Sequence, residues 1–465
     1  MLELLNKKNF QIFMILLHIA VGYLSAKSSM LDGLFFVAIF TFFLLDIIYY
    51  RDKGSRAGFY ALYIIGYEIV YRIPGASISE EMAKYMSIIV LITGLMAGKR
   101  SYFPYVFVFV SFLLIPAMFF TETYSSEWTR KVIMFNVSGP LTVVASGLYF
   151  YKRSVSKINF DLGLRLAFYP ALALLVLLSL KAGLSEVHFT TVNSKSAMSG
   201  GYAPNQVSTG IGWLFLLGLL ELIRGNRLLL FTAFDIGAVT FLLIRGLLTM
   251  SRGGILSAFL ALFFALGYVF LIDRKLRKLM KKIFLPGIVA VLILFAGMWY
   301  VNKLSNNYIL YRYQGKTTNE VLKGEKSLNK DYTTGRGKIM EGDLLAFKEY
   351  PVFGVGYGMS YKWHAMYLGE GAVAHTEFTR LLSENGMLGL IIILLVYLYL
   401  PVNYFFTIVL NKRGQLHFVA FLIYSYATMM HGAMRLSIPG ILYGAAFLII
   451  SESRLKYKKN VKSIH

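Results

Sequence analysis

The 465-residue sequence contains no cysteine, and charged residues make up only 15% of it. The missing cysteines exclude a disulfide framework, a thiolate metal site and a cysteine nucleophile. Hydrophobic residues make up 57% of the chain, which is too much for a soluble domain with a polar surface. The composition therefore predicts a membrane protein.

Long apolar segments support this prediction. Nearly uncharged stretches at residues 33–50, 102–120, 255–272 and 387–404 approach the roughly 20 residues that a helix needs to cross the hydrocarbon. Hydropathy along the whole chain predicts an all-α polytopic protein with about 14 membrane-spanning helices. Their predicted centres are Leu17, Thr41, Ile65, Ile89, Val110, Thr142, Leu174, Phe215, Val239, Leu262, Leu292, Leu394, Ile423 and Ala445.

The net charge of +23 does not predict nucleic acid as a partner, because the lysines and arginines fall mostly in short breaks between apolar segments. With the N-terminus inside, every second loop is cationic, as the positive-inside rule predicts. This pattern places both termini in the cytoplasm, including the basic tail at residues 454–462.

The longest polar segment divides the chain into three expected regions. Residues 1–301 are the N-terminal membrane helices, residues 302–386 an extracytoplasmic loop subdomain, and residues 387–465 the C-terminal membrane helices and tail. Within the loop, residues 338–349 predict a short amphipathic helix. A second short helix is expected to be capped by Thr376 and to end at residues 385–386.

Cations on the outer side break the positive-inside rule and need an explanation. Arg252 and the preceding Ser251 begin a span, and Ser251 is placed to cap it. Free backbone N–H groups beside an arginine favour a phosphate site. The alternative is snorkelling of Arg252 and a salt bridge from Arg245 to Asp235 or Glu68. The arginines assigned to the outer side are Arg245, Arg252, Arg336, Arg380 and Arg435.

His375 is the candidate general base. It precedes a predicted helix N-terminus, where the helix dipole disfavours the imidazolium and keeps the ring neutral. The alternative is a surface histidine that hydrogen-bonds a loop. Glu377, Arg380 and Glu384 have the spacing of an ordinary surface ion-pair ladder, so the first two receive supporting roles only. His364 shares the loop with His375, but the nearby acids are scattered and predict no metal site.

Several short motifs of the outer side occur in a distinctive order. They are PNQ at 204–206, TMSRGG at 249–254, GR at 335–336, Ala346, Pro351, GVGYG at 354–358, AHTE at 374–377 and LLSENG at 381–386. Together they resemble the O-antigen ligase and polymerase family over residues 204–390. The chain departs from the family at Met340, where many members have Trp, and at Thr376, where many ligases have Asn.

The resemblance implies a C-type glycosyltransferase fold without a metal or other cofactor. Such an enzyme acts on undecaprenyl-diphosphate-linked glycans at the outer face of the bacterial cytoplasmic membrane. Arg252, Arg336 and Arg245 would hold the diphosphate. His375 would take the proton from an acceptor hydroxyl that attacks the anomeric carbon with inversion. The implied substrate-binding residues are Arg245, Ser251, Asn205, Gln206, Glu377 and Arg380.

The acceptor separates three activities. A polymerase extends a lipid-linked repeat unit, a ligase uses lipid A core, and a third branch glycosylates protein. The helix count and Thr376 favour the polymerase, for which membrane lipid and a chain-length regulator are candidate partners. A transporter or lipid flippase is a different reading; it expects pseudo-symmetric halves, which the sequence lacks, and Asp235 and Glu68 at mid-membrane would support it. A purely structural protein leaves the outer arginines unexplained.

Overall fold

The computed structural model describes residues 2–99, 102–183, 194–272, 336–368, 372–412 and 414–451, with isolated residues between 295 and 310. Three predictions therefore lie outside the described residues. They are the span centred on Leu292, the loop segment 311–335 and the basic tail at 454–462.

The described chain is almost entirely helical, and each predicted span centre among the described residues lies in a helix. A 3₁₀ helix spans Leu2–Asn6, and π-helical turns span Ile393–Tyr399 and Phe405–Val409. Strands β1, Ser154–Ser156, and β2, Ile449–Ser451, pair in parallel. The helices are α1 Lys8–Lys27, α2 Ser29–Tyr49, α3 Arg56–Arg72, α4 Met82–Ala97, α5 Tyr105–Leu113, α6 Pro116–Phe119, α7 Ser126–Phe150, α8 Lys157–Phe168, α9 Pro170–Lys181, α10 Ser194–Met198, α11 Pro204–Arg224, α12 Thr232–Leu248, α13 Arg252–Leu271, α14 Arg336–Glu349, α15 Tyr361–Leu368, α16 Glu377–Ile392, α17 Leu400–Tyr404, α18 Leu416–Gly432 and α19 Ile438–Ala446.

The protein is a multi-pass membrane protein, and the all-α prediction is confirmed. Among the described residues, 7 helices are long and apolar enough to cross a membrane. One of them covers Glu377–Val409, because the π-helical turns join α16 to α17, and it contains a single interruption at Gly386 within α16. The candidate spans are Lys8–Lys27, Ser29–Tyr49, Ser126–Phe150, Lys157–Lys181, Pro204–Arg224, Arg252–Leu271 and Glu377–Val409.

Helix α3 lies at the centre of the bundle, where every one of its 17 residues is buried. Its hydropathy is weak because charged side chains occupy both ends, with Arg56 at its start and Glu68 and Arg72 in its last turns. Neighbouring helices surround α3, so its polar groups are satisfied by protein rather than by lipid. Composition alone therefore makes this central helix look like a poor membrane span.

Charged loops gather at two opposite ends of the bundle. At one end, Arg153 pairs with Asp52 at 2.7 Å and Arg224 pairs with Asp161 at 2.6 Å. These residues come from loops and helix ends that the sequence assigns to the cytoplasm. The other end, here called the arginine end, is formed by the C-terminus of α3, the N-termini of α11, α13, α14 and α16, and residues 433–437. The sequence assigns all of these segments to the outside.

The short helices of the long loop form as expected. The predicted helix at 338–349 corresponds to α14, Arg336–Glu349. Gly386 interrupts α16 at the predicted position, with φ of 59° and ψ of −137°. The GVGYG turn caps this break, because Val355 N donates to Ser383 O at 2.9 Å. Gly354, Gly356 and Gly358 have φ of 73°, 88° and 70°, which favours glycine.

The two ends are expected to lie on opposite sides of the membrane. Because the chain has no cysteine, Lys157→Cys in α8 and Lys338→Cys in α14 each introduce a single reactive thiol at an exposed position. In sealed vesicles of defined orientation, a membrane-impermeant maleimide is expected to modify one variant in right-side-out vesicles and the other in inverted vesicles. Modification of both variants from the same side would contradict this arrangement.

Candidate functional site

The turn between α12 and α13 fixes Ser251 against α11. Ser251 precedes the first residue of α13, but its hydroxyl makes no capping bond there. It donates instead to Asn205 Oδ1 at 2.7 Å. The expectation that Ser251 caps α13 is therefore wrong, because the amide of Asn205 takes the hydroxyl hydrogen. The consequence is that the turn holds the side chain of Asn205 in place.

The two glycines after Arg252 allow close helix packing. A Cβ on Gly254 would overlap the backbone carbonyl of Ser208 in α11. A Cβ on Gly253 would overlap the imidazole of His431 in α18. The glycines of the TMSRGG motif therefore let α13 approach α11 and α18, which brings Arg252 to the middle of the arginine end.

Three arginines from separate parts of the chain come close together at this end. Arg252 begins α13, Arg336 begins α14, and Arg435 lies between α18 and α19. Burial lowers the pKa of Arg336, and the positive charges of Arg252 and Arg435 lower it further. No carboxylate among the described residues offsets this effect on Arg336. The arrangement suits an anion, because an anion would relieve the mutual repulsion.

His375 lies beside these arginines in a neutral form. Its Nδ1 is 2.7 Å from Val373 O, which assigns the proton to Nδ1 and leaves the lone pair on Nε2. Burial lowers the pKa of His375 to about 4, and the charges of Arg435, Arg336 and His364 contribute. The sequence attributes the neutral ring to the helix dipole. The structure adds burial and the adjacent guanidinium groups as its main causes.

A small cavity lies beside His375 and Arg435. Its volume is about 80 Å³, and His375 and Arg435 line it together with Asn205 and Gln206. The hydroxyl-bearing side chains of Thr209 and Thr428 complete its polar lining. The cavity therefore brings predicted residues of α11 next to the candidate base.

The acidic and basic residues of α16 form a buried network. Arg380 is 5% exposed and pairs with Glu377 at 2.6 Å and with Glu384 at 3.1 Å. It also donates to Asn136 O of α7 at 3.1 Å. The expected surface ladder is therefore wrong, because packing against α7 excludes water from it. Glu377 also accepts from Met434 N at 3.2 Å, so the network supports the segment that carries Arg435.

Helix α16 is also tied to the preceding helices through Asp343. This buried carboxylate accepts from His364 Nε2 at 2.8 Å, from Thr379 Oγ1 at 2.7 Å and from Ser383 Oγ at 3.1 Å. Burial alone would lower the pKa of His364, but its hydrogen bonds to Asp343 and Ala372 O raise it. Asp343 therefore joins α14, α15 and α16. The hydroxyl of Thr376 bonds Thr379 and does not cap α16 as expected.

Arg245 is held away from this cluster. Its guanidinium donates to Ala182 O at 3.1 Å and also to Leu178 O, so it satisfies the carbonyl groups at the end of α9. The alternative of a salt bridge to Asp235 or Glu68 is wrong. Asp235 accepts from Leu229 N at 2.8 Å, and Glu68 pairs with another arginine. A role for Arg245 in binding substrate stays a prediction.

Two residues of the site were given no role from the sequence. Arg435 was noted only as an outer cation, although it affects both Arg336 and His375. His431 lies four residues earlier in the chain, near the end of α18, with Nε2 3.4 Å from Thr209 Oγ1. The sequence feature that could have indicated both residues is the polar MHGAMR segment at 430–435, between two apolar stretches.

In the part of the chain that the structure describes, no group of three or more acidic, His or Cys side chains is placed to hold a metal.

Residues 237–394 match the family model described as O-antigen ligase. The matched segment contains Arg252, Arg336 and His375, whereas Asn205 and Arg435 lie outside it. No curated protein and no solved structure matched the chain.

The buried network of α16 predicts a large effect on stability. Arg380→Met leaves Glu377 and Glu384 without their partner, and we expect it to lower the free energy of unfolding by about 3–5 kcal/mol. Thermal unfolding in detergent, followed by tryptophan fluorescence, measures the effect. Lys131→Met is the control, because its ion pair with Glu127 is exposed and contributes little to stability. Equal shifts in melting temperature would contradict the proposed importance of the network.

Proposed function

From the match of residues 237–394 to the O-antigen ligase family model, we propose that the protein transfers an undecaprenyl-diphosphate-linked glycan to an acceptor hydroxyl. The family carries out glycan transfer of the O-antigen ligase or polymerase type. The observation that supports the specific proposal is the convergence of Arg252, Arg336 and Arg435 with His375. We place this site on the extracytoplasmic face of a bacterial cytoplasmic membrane, with both termini in the cytoplasm.

The arginines bind the diphosphate of the donor. Guanidinium groups donate two parallel hydrogen bonds to phosphate oxygens and remain charged at all physiological pH values. Arg252 and Arg336 belong to different helices, so they approach the diphosphate from different directions. As the bond from the anomeric carbon to the diphosphate oxygen breaks, negative charge grows on that oxygen. The fixed cations stabilise this charge without reorganisation of the site.

His375 acts as the general base. Val373 O accepts the Nδ1–H, so Nε2 is available to accept the proton of an acceptor hydroxyl. The hydroxyl oxygen attacks the anomeric carbon from the side opposite the diphosphate, which inverts the configuration. The products are a new glycosidic bond and undecaprenyl diphosphate. This scheme moves a single proton and needs no metal or other cofactor.

We propose polymerisation of O-antigen or other surface polysaccharide repeat units as the activity. Thr376 follows His375 where many ligases carry Asn, and this departure supports a polymerase over a ligase. Ligation to lipid A core, or to protein, is the alternative. A chain-length regulator is a candidate partner of the polymerase.

A transporter would be favoured by Asp235 and Glu68 in the middle of membrane-spanning helices. Asp235 instead lies in the first turn of α12, and Glu68 lies one turn from the end of α3, which argues against this alternative.

Substitution of the base or of a diphosphate ligand is expected to abolish most turnover. His375→Gln removes the proton acceptor and should lower kcat by about 10²–10⁴-fold. Arg336→Gln should lower kcat by about 10²–10³-fold. The assay follows glycan products from a purified lipid-linked donor, with protein that elutes as a single folded species in detergent. Lys157→Gln, at the opposite end, is the control and is expected to keep the wild-type rate. A wild-type rate in His375→Gln or in Arg336→Gln would disprove the role assigned to that residue.

The acceptor is identified by what the purified protein consumes. With lipid-linked repeat units as the only substrate, a polymerase is expected to give a ladder of products of increasing length on a polyacrylamide gel. A ligase is expected to give no product until lipid A core is added. The second result would replace polymerisation with ligation.

A further inference from the structure

A buried ion pair beside the site has no part in the proposed chemistry. Arg72 Nη2 lies 2.8 Å from Glu68 Oε1, one turn away in α3, and their side chains are 1% and 0% exposed. Desolvation of two charges costs more than one contact returns, so such a pair needs further hydrogen bonds. The groups that form these further hydrogen bonds indicate the role of the Glu68–Arg72 pair.

Several of these partners belong to the proposed site. Arg72 donates to the backbone oxygen of Arg435 at 3.1 Å and to Gln206 Oε1 at 3.1 Å. Glu68 accepts from the backbone N–H of Ser437 at 2.9 Å and from its hydroxyl at 2.6 Å. The pair therefore contacts the chain at Arg435 itself and two residues after it.

The chain before Arg435 is held from the other side. Ala433 N donates to the backbone oxygen of His375 at 3.0 Å, and Met434 N donates to Glu377 at 3.2 Å. Ala433 has φ of 49°, an unfavourable value for a residue with a side chain, so this turn depends on the surrounding contacts. Residues 433–437 are thus clamped between α16 and α3, with Arg435 in the middle.

We propose that the Glu68–Arg72 pair is a positioning device that holds Arg435 against the diphosphate site, and that Arg435 is a third ligand of the diphosphate. This inference rests on the proposed function. Arg72 is a positioning residue, because its guanidinium is occupied by Glu68, Gln206 and the backbone of residue 435. Arg435 faces the cavity together with His375.

A buried ion pair at the other end of α3 provides a control. Arg56, the first residue of α3, pairs with Asp46 of α2 at 3.0 Å, and their side chains are 3% and 6% exposed. This pair is similar to Glu68–Arg72 in burial, but it lies far along α3 from residues 433–437. Loss of either pair destabilises the helix, and only loss of Glu68–Arg72 should disturb the site.

The experiment uses the full-length protein with a purified undecaprenyl-diphosphate-linked repeat unit. The variants are Arg72→Gln, Arg435→Gln, Arg56→Gln and the double variant Glu68→Gln/Arg72→Gln, which leaves no unpaired buried charge. The measurements are kcat, KM and the pH dependence of kcat/KM. A displaced contact can cost about 100-fold in rate, so we expect Arg72→Gln and the double variant to lower kcat by about 10–100-fold.

The pH profile separates positioning from general destabilisation. The charged groups that act on His375 are Arg435, Arg336 and His364, and each lowers its pKa. Removal or displacement of Arg435 therefore raises the pKa of His375 toward the ordinary value of about 6.5. Activity needs the neutral ring, so the acid limb of kcat/KM should move to higher pH in Arg435→Gln and in the two Arg72 variants.

Each outcome has one meaning. A shifted acid limb in the Arg72 variants, matching Arg435→Gln, with an unshifted limb in Arg56→Gln, supports the positioning role. Arg72 variants that lose activity with the acid limb of the wild type would overturn the positioning role. An Arg435→Gln variant with wild-type kcat and KM would overturn the role of Arg435. A wild-type protein that forms no product from the lipid-linked donor would instead contradict the proposed function itself.

Discussion

Repulsion between guanidinium groups is the constraint on which the arginine end depends. Burial disfavours the charge of Arg336 and lowers its pKa, and the charges of Arg252 and Arg435 add to this cost. If only their side chains were held near one another, the arginines would rotate apart into water and the repulsion would disappear. Their backbones must therefore be fixed by contacts that do not involve the charges. Under the proposed function, the diphosphate recovers this free energy when it binds.

The fold supplies such contacts from three directions. The glycines of α13 place Arg252 by close packing against α11 and α18. The carboxylate of Asp343 ties the helix of Arg336 to the helix that follows His375. The α3 ion pair and α16 hold residues 433–437 on both sides. Besides their ion pairs, the carboxylates of Asp343, Glu68 and Glu377 accept hydrogen bonds from backbone and hydroxyl groups, and in this way they help to fix the segments that carry the site.

The sequence predicted the helices better than the contacts of their polar ends. Hydropathy located the helices because length and apolar content depend on local composition, although only 7 of the described helices are long and apolar enough to count as candidate spans. The helix break at Gly386 followed from a left-handed conformation that favours glycine. Ser251 was predicted to cap its own helix, but a partner 46 residues earlier in the chain takes its hydroxyl. Arg380 was expected at the surface, since its spacing to Glu377 does not show that α7 covers it. Such long-range partners are fixed by packing, which composition does not encode.

The linkage through Asp343 has a consequence for the size of the product. One carboxylate joins the helix that begins at Arg336 to the helix after His375, so the distance from phosphate ligand to base is set by a rigid unit. Under the proposed chemistry, this unit contacts only the sugar next to the lipid phosphate and the attacking hydroxyl. The separation of these two groups is the same whatever the number of units that the glycan already contains. Under the proposed polymerisation, this unit therefore does not set the length of the product.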